Sequence, residues 1–184
     1  MDVRHEISKL AGKMISPIRA GNEKLAALKE GPAPSLGVTS SAFSDGAAIP
    51  ERFVGPQGAS PALSWNGIPA GAQELVLLCE DPDAPFPKPF VHWLLYGLKP
   101  STDSLTENSM PPSGALVGKN STGKAGYTGP KPPPGHGVHH YHFQVFALDA
   151  PLGLGPNLDR DALVDAMHGH VLTSGELVGT YEAK

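Results

Sequence analysis

Two carboxylates and an imidazole occur close together in a proline-rich part of the chain. Asp81 and Asp83 belong to the segment Asp81-Pro82-Asp83-Ala84-Pro85, which separates two apolar runs, and His92 stands inside the second run. Because proline fixes its own φ and disfavours the α conformation of the preceding residue, Asp81 and Ala84 are directed towards extended backbone. The two aspartates therefore lie outside any helix, and the residue types indicate a shaped polar pocket.

More hydrogen-bonding side chains follow a loop that is rich in glycine and proline. The loop runs from Tyr127 to Gly135 and leads to His139 and Tyr141. Glycine lets a backbone N–H approach a ligand closely, and prolines stiffen the loop around the remaining N–H groups. His92, His139 and Tyr141 can donate hydrogen bonds to a phosphate-like oxygen, and Asp81 can orient an imidazole or accept from an ammonium group. These groups predict a pocket for a small anion or for a zwitterion such as phosphoethanolamine.

Each motif also has a purely structural interpretation. The Asp-Pro segment can be a tight turn capped by the Asp side chains, and the Gly/Pro-rich loop can be a connection without a binding role. His92 can be a core histidine whose hydrogen bonds are satisfied within the protein. The predicted convergence of all three at strand ends of one mixed sheet favours a site.

An enzyme is the alternative from another functional class. Asp81 and His92 could serve a hydrolase as an acid and base pair. The sequence contains no Gly-x-Ser-x-Gly, His-Glu-x-x-His or phosphate-loop motif, so a protein without catalysis is the first expectation.

A structural zinc site is a further alternative, because four histidines crowd one short segment: His136, His139, His140 and His142. Successive side chains of a strand point to opposite faces, so only His140 and His142 share a face. We therefore expect neither a metal nor a cofactor.

Composition and charge restrict the class of protein. The 184 residues carry a formal net charge of −4 and contain no run of Lys or Arg, which argues against nucleic acid as a partner. Cys79 is the only cysteine, so an intramolecular disulfide is excluded and a reducing compartment is favoured. The charged start, Met1 to Glu6, does not look like a secretory signal, and no segment reaches membrane-spanning length. We expect a cytoplasmic protein.

Short apolar runs between Gly and Pro predict a mostly β fold. The predicted strands cover residues 36–43, 62–65, 75–80, 91–98, 138–148 and 176–181. Alternation in the strand at 138–148 places His139 and Tyr141 on one face and His140 and His142 on the other. A helix is predicted after Asp159, its N-cap, with Gly169 beyond its end.

Residues 1–30 are predicted to form an N-terminal helical arm, and residues 31–184 a single domain. Val3, Ile7, Leu10 and Met14 recur at helical spacing until Pro17, and Leu25 and Leu28 extend the pattern. The apolar stripe predicts a helix laid on the domain; a homodimer seam is the alternative. The segment Gly31-Pro32-Ala33-Pro34 separates the arm from the rest.

The chain resembles the phosphatidylethanolamine-binding protein family, in its bacterial Raf kinase inhibitor-like branch. The resemblance covers residues 36–181. It rests on the following motifs: Ser60-Pro61-Ala62-Leu63-Ser64-Trp65, Asp81 to Pro85 with His92-Trp93, Gly126 to Pro130 through His139, His140 and Tyr141, and the closing segments 169–172 and 176–181.

The resemblance implies a large central antiparallel sheet against a smaller sheet, with few peripheral helices. It also implies a small pocket for phosphate-like groups and phospholipid head groups. Carried over by position, its lining residues are Asp81, His92, Gly129, Lys131 through its backbone, His139 and Tyr141. Asp83, Pro85 and His140 would support them, and the Ala84–Pro85 bond is a candidate cis peptide.

One position departs from the family pattern. The family usually has Arg directly after the loop histidine, where this chain has His140, so an ion pair between that position and Asp83 is in question. Several family members regulate kinases or proteases by binding them, and the resemblance implies such a protein partner as a second expectation.

Overall fold

A computed structural model describes residues 3–29 and 35–184, which form eight β-strands and three α-helices. The strands are β1 (Gly37–Thr39), β2 (Leu63–Asn66), β3 (Glu74–Asp81), β4 (Phe90–Leu98), β5 (Ser104–Leu105), β6 (Leu116–Val117), β7 (His139–Leu148) and β8 (Val171–Tyr181). The helices are α1 (Val3–Ile15), α2 (Ala26–Lys29) and α3 (Arg160–Met167). Within the described ranges, no helix has the length and apolar character needed to cross a membrane.

The strands form two sheets. The larger has the order β6-β4-β3-β7-β8, and the smaller has the order β1-β2-β5. Every pair of neighbouring strands in both sheets is antiparallel. The mostly β fold and the antiparallel central sheet are therefore confirmed, and the prediction of a mixed sheet is wrong.

The central strands are buried because both faces of the larger sheet are covered. Every residue of β3 is buried, as the run of apolar residues predicts. One face packs against the smaller sheet, where Leu77 and Phe143 meet Trp65. The other face packs under α3 and the segment before residue 30, where Val76 and Phe146 join a second cluster. Full burial of one such side chain contributes about 1.5–3 kcal/mol.

Most predicted elements are confirmed, and one strand is shorter than predicted. The first strand ends at Thr39 because the Ser40 hydroxyl donates to the carbonyl of Ala62 and accepts from the N–H of Ala42, which turns the chain. Helix α3 begins after Asp159, whose side chain accepts from the N–H of Ala162 at 3.0 Å.

Helix α1 lies on the domain with the opposite face from the predicted one. Gly12 is buried against the loop before β7, and a Cβ atom there would lie 2.0 Å from the carbonyl oxygen of Pro134. The apolar stripe points outward, since Ile7, Leu10 and Met14 are 63%, 63% and 75% exposed. The prediction that this stripe packs on the domain is wrong, because close backbone approach at a glycine sets the docked face.

Parts of the predicted arm lie outside the residues that the structure describes. Residues 1–2 and 30–34, including the predicted break at Gly31-Pro32-Ala33-Pro34, are not among the described residues, and neither are the side chains of Val3 and Leu28. The segment after α1 is buried at Leu25 and Ala26, which are 3% and 0% exposed.

Candidate anion-binding pocket

A cavity of about 290 Å³ lies at the sheet edge where β3 ends and where β4 and β7 begin. Antiparallel pairing brings these ends together, because β3 is hydrogen-bonded to both neighbours. The cavity is lined by Pro56, Asp81, Ala84, Pro85, Phe86, Phe90, His92, Thr122, Thr128, Gly129, Lys131, Pro132, Pro133 and His139. Five of the six predicted pocket residues are therefore in the wall, and Pro85, predicted to support the pocket, lines it directly.

Asp81 shapes the pocket floor by closing the turn after β3. Its Oδ1 accepts hydrogen bonds from the N–H groups of Asp83 and Ala84, at 2.8 and 3.1 Å. Every peptide bond in the described ranges is trans, so the predicted cis Ala84–Pro85 bond is not found. The turn closes without it, because the Asp81 carboxylate and a hydrogen bond from Phe86 N–H to the Ala84 carbonyl hold the chain.

His92 presents one unpaired ring nitrogen in a buried position. Its Nδ1 lies 2.6 Å from the carbonyl oxygen of Thr128, to which it donates, and the residue is 4% exposed. The other nitrogen, Nε2, is buried and has no hydrogen-bond partner in the described part of the chain. Burial lowers the pKa of His92, and the nearby Asp81 carboxylate offsets this only in part. The free ring is therefore neutral at pH 7, with a lone pair on Nε2.

The loop before β7 approaches the pocket closely at Gly129. A Cβ atom at this residue would lie 2.0 Å from the carbonyl oxygen of Phe53, so no larger residue fits. Its own N–H donates to Gly55 at 2.9 Å and is not available to a ligand. Two residues on, Lys131 lines the cavity, and its N–H makes no backbone hydrogen bond among residues 3–29 and 35–184.

Tyr141 lies behind the pocket wall and does not line the cavity. Its ring is 5.0 Å from that of His92 and 6.5 Å from that of His139, measured between centroids. The hydroxyl is buried and has no hydrogen-bond partner within the described residues. Burial, followed by the negative charge of Asp81, raises the pKa of Tyr141, so the phenol keeps its proton.

Asp83, which the family resemblance expects to support the pocket, is paired with a cation that the sequence did not indicate. The backbone N–H of His140 donates to Oδ2 of Asp83 at 2.8 Å. The ring nitrogen Nδ1 of His140 lies 2.7 Å from the same oxygen. Arg19, from the segment after α1, forms a salt bridge with the same carboxylate. Burial alone would raise the pKa of Asp83, but the hydrogen bonds from His140 and the charge of Arg19 lower it overall. The arm thus supplies the guanidinium that position 140 lacks.

Both ring nitrogens of His139 have a hydrogen-bond partner. Nδ1 lies 2.8 Å from Oδ2 of Asp81, and Nε2 lies 2.7 Å from Nδ1 of His136. The sequence suggests His136 only as a metal ligand, and its contact with His139 is not predicted. The three-residue spacing of the two histidines is the one signal in the sequence that could have indicated it.

Asp81 and His92 have different hydrogen-bond partners, rather than being joined to each other as the acid and base pair of a hydrolase. Asp81 is hydrogen-bonded to His139 and to backbone N–H groups, whereas His92 is bonded to the carbonyl of Thr128. The predicted zinc pair, His140 and His142, is divided between two carboxylates, since His142 contacts Glu176 at 3.1 Å. Among the described residues, no three His, Cys, Asp or Glu side chains converge in a way that could hold a metal ion.

Much of the remaining cavity wall is apolar. Phe86, Phe90, Pro132 and Pro133 line it, and Phe86 is 51% exposed. Such a pocket combines a few directed polar atoms with apolar walls, the arrangement that orients a small ligand.

Comparison with known proteins places the chain in a family. The family model described as phosphatidylethanolamine-binding protein matches residues 39–182. A relative from Methanothermobacter thermautotrophicus is 41% identical over 145 residues, which cover 76% of this chain and 94% of that protein.

Solved structures agree with this assignment. A phosphatidylethanolamine-binding protein homologue from Chlamydia trachomatis is 37% identical, with a TM-score of 0.75, and the match covers 82% of this chain and 99% of that one. The E. coli protein YbcL, described as a new member of the mammalian family, is 29% identical with the same TM-score, over 81% and 99% of the two chains. The chain belongs to the phosphatidylethanolamine-binding protein family.

Proposed function

We propose that the cavity binds a small phosphate-like anion, either free or as the phosphoethanolamine head group of a lipid. The observation that carries this proposal is Nε2 of His92, a buried polar atom without a partner in the described residues that belongs to a cavity-lining side chain. A buried polar atom left unpaired costs about 1–3 kcal/mol, which a bound ligand would recover.

The groups around the cavity suit the two charges of a head group. A bound anion favours the protonated imidazole, so Nε2 of His92 becomes a charged donor when the ligand enters. Two further donors near His92 have no partner in the described chain: the N–H of Lys131, whose residue lines the cavity, and the hydroxyl of Tyr141, which lies behind the wall. An ionised carboxylate accepts about four hydrogen bonds, and Asp81 accepts three from described residues. Asp81 can therefore accept one from an ammonium group.

We further propose that binding proceeds without catalysis. The support is the pairing of Asp81 with His139, which leaves His92 without a carboxylate to orient it as a general base. Regulation of a kinase or protease is implied by the family resemblance alone and stays a prediction, as does the cytoplasmic location expected from the sequence.

Calorimetric titration with inorganic phosphate and with phosphoethanolamine tests the proposal, using the parent chain, His92→Gln and His142→Gln. His142 is the matched control, because its Nε2 is also buried and unpaired in the described structure although the residue does not line the cavity. Loss of one charge-assisted hydrogen bond predicts binding about 10- to 100-fold weaker in His92→Gln. His142→Gln should bind like the parent. Equal weakening in both variants, or no binding in the parent, would contradict the proposal.

The fate of phosphoethanolamine separates a binding protein from a hydrolase. Phosphorus NMR after prolonged incubation should show the ligand unchanged. Release of inorganic phosphate that is lost in His92→Gln would establish the enzyme alternative instead.

A further inference from the structure

A chain of three hydrogen bonds connects helix α1 to the pocket. Oδ2 of Asp81 contacts Nδ1 of His139 at 2.8 Å, and Nε2 of His139 contacts Nδ1 of His136 at 2.7 Å. The chain ends where Nε2 of His136 contacts the carbonyl oxygen of Ile15, in the last turn of α1, at 3.0 Å. His139 and His136 are each 1% exposed, so water does not compete for these contacts.

These three contacts require three protons. A backbone carbonyl only accepts, and two neutral imidazoles supply two N–H groups. The third proton must come from an imidazolium or from a protonated Asp81. The docked arrangement therefore holds one proton more than an ionised aspartate with two neutral histidines.

We propose that the N-terminal arm is a proton-dependent latch on the pocket: when docked, it holds His136 against Nε2 of His139, and when released, it frees that nitrogen to donate to an anion. The inference rests on the proposed function, because it describes regulation of the same site. The geometric basis for the inference is that both ring nitrogens of His139 have hydrogen-bond partners in the docked state, although His139 lines the cavity.

Contacts made by two other parts of the arm fit this role. Nη2 of Arg19 lies 3.5 Å from the carbonyl oxygen of His136, and Arg19 also pairs with Asp83. A Cβ atom at Gly135, which has a φ of +81°, would lie 2.5 Å from the carbonyl oxygen of Lys9. The arm thus contacts this loop through its backbone just before His136 and through the Arg19 side chain at the His136 carbonyl.

The surroundings of the two histidines decide where the third proton is held. Asp81, Tyr141 and His92 face His139. Arg19, which is paired with Asp83, faces His136. Burial, the adjacent His139 and the Arg19 guanidinium lower the pKa of His136. The proton is therefore held between Asp81 and His139, His139 carries hydrogen on Nε2, and Nδ1 of His136 accepts. Because the docked arrangement holds one proton more than an ionised aspartate and two neutral histidines supply, docking weakens as the pH rises.

Gly12→Ala is the variant that releases the arm. The added Cβ atom would meet the carbonyl oxygen of Pro134 at 2.0 Å, and the helix itself gains propensity because alanine replaces glycine. Ser8→Ala is the matched control, since Ser8 is an exposed position of the same helix. Both variants keep the full chain.

Nitrogen NMR of the imidazole rings tests the latch without any ligand. The parent and Ser8→Ala should show hydrogen on Nε2 of His139 and an accepting Nδ1 on His136, whereas both signals should shift in Gly12→Ala. Raising the pH of the parent should move its spectrum towards that of Gly12→Ala. Identical spectra in the parent and Gly12→Ala, or a parent spectrum in which His136 carries hydrogen on Nδ1, would overturn the proposal.

Phosphate titration of the same three proteins tests the consequence for binding. One additional charge-assisted donor predicts about tenfold tighter binding in Gly12→Ala than in Ser8→Ala. Equal binding in these two variants would overturn the latch and leave the pocket assignment intact. Absence of binding in all three would refute the proposed function, and the imidazole spectra would then decide on the latch alone.

Discussion

Arg160→Met is expected to destabilise the protein strongly, because it leaves a carboxylate buried without its cation. Nε of Arg160 donates to Oε1 of Glu80 at 2.6 Å, and Nη2 donates to the carbonyl of Lys24 at 2.6 Å. Glu80 is 0% exposed, and its other oxygen accepts from the N–H of Ala26 and from Gln144. One carboxylate thus joins α3, the sheet and the segment that follows α1.

The size of the expected loss in the free energy of unfolding follows from the burial of Glu80. Removing one partner of a buried ion pair costs about 3–5 kcal/mol, a large share of the roughly 5–15 kcal/mol by which domains are stable. For a chain of this length, that loss lowers the melting temperature by about 10 °C, since 1 kcal/mol corresponds to about 2–4 °C. Part of the cost should be recovered in the double variant with Glu80→Gln, which removes the uncompensated charge.

Urea denaturation of the single and double variants measures these free energies of unfolding. Lys88→Met is the control, because Lys88 and Asp161 form a comparable ion pair whose side chains are 67% and 49% exposed. An exposed pair contributes about 0–1 kcal/mol. If Arg160→Met costs no more than Lys88→Met, the assigned role of the Glu80 network is refuted.

Three further results are expected. In Gly12→Ala, where the released arm adds no pH dependence of its own, phosphate affinity should rise as the pH falls from 8 to 6, with proton uptake on binding, because the pKa of His92 is lowered in the free protein and an anion raises it; calorimetry in buffers of different ionisation enthalpy measures this, and proton release would contradict it. Because the pKa of Asp83 is lowered in the folded protein, its carboxylate stabilises the fold at neutral pH, and this contribution is lost as the pH falls through the folded-state pKa. Asp83→Asn should therefore lower the free energy of unfolding in urea at pH 7. Once both proteins are acidified, the variant should differ little from the parent. Asp159→Ala removes the N-cap of α3 and should cost about 1 kcal/mol in the same assay, and an unchanged midpoint would refute the capping role.

The strands and the site edge could be predicted because local sequence patterns determine them. β3 and β4 appear as unbroken apolar runs, β7 alternates between two faces, and α3 has an N-cap and a terminal glycine. Asp81 and His92 could be placed at one edge because consecutive antiparallel strands meet there.

Most features that could not be predicted depend on which face of the N-terminal helix packs against the rest of the protein. The spacing of Ile7, Leu10 and Met14 identifies a helix but not the face that contacts the domain, and the docked face is instead the one with Gly12. The link from Arg19 to Asp83 joins residues 64 positions apart through that docking, so no local pattern contains it. Position in the family assigns Tyr141 to the cavity wall, whereas the geometry places it one layer behind.

The nitrogen chemical shift of Nε2 in His92, followed by NMR during addition of inorganic phosphate at pH 7, tests the central claim most directly. We expect an unprotonated Nε2 in the free protein and a protonated, hydrogen-bonded Nε2 once phosphate is bound. A signal of His92 that stays unchanged while phosphate binds would place the ligand elsewhere and refute the assignment of this cavity as the anion site.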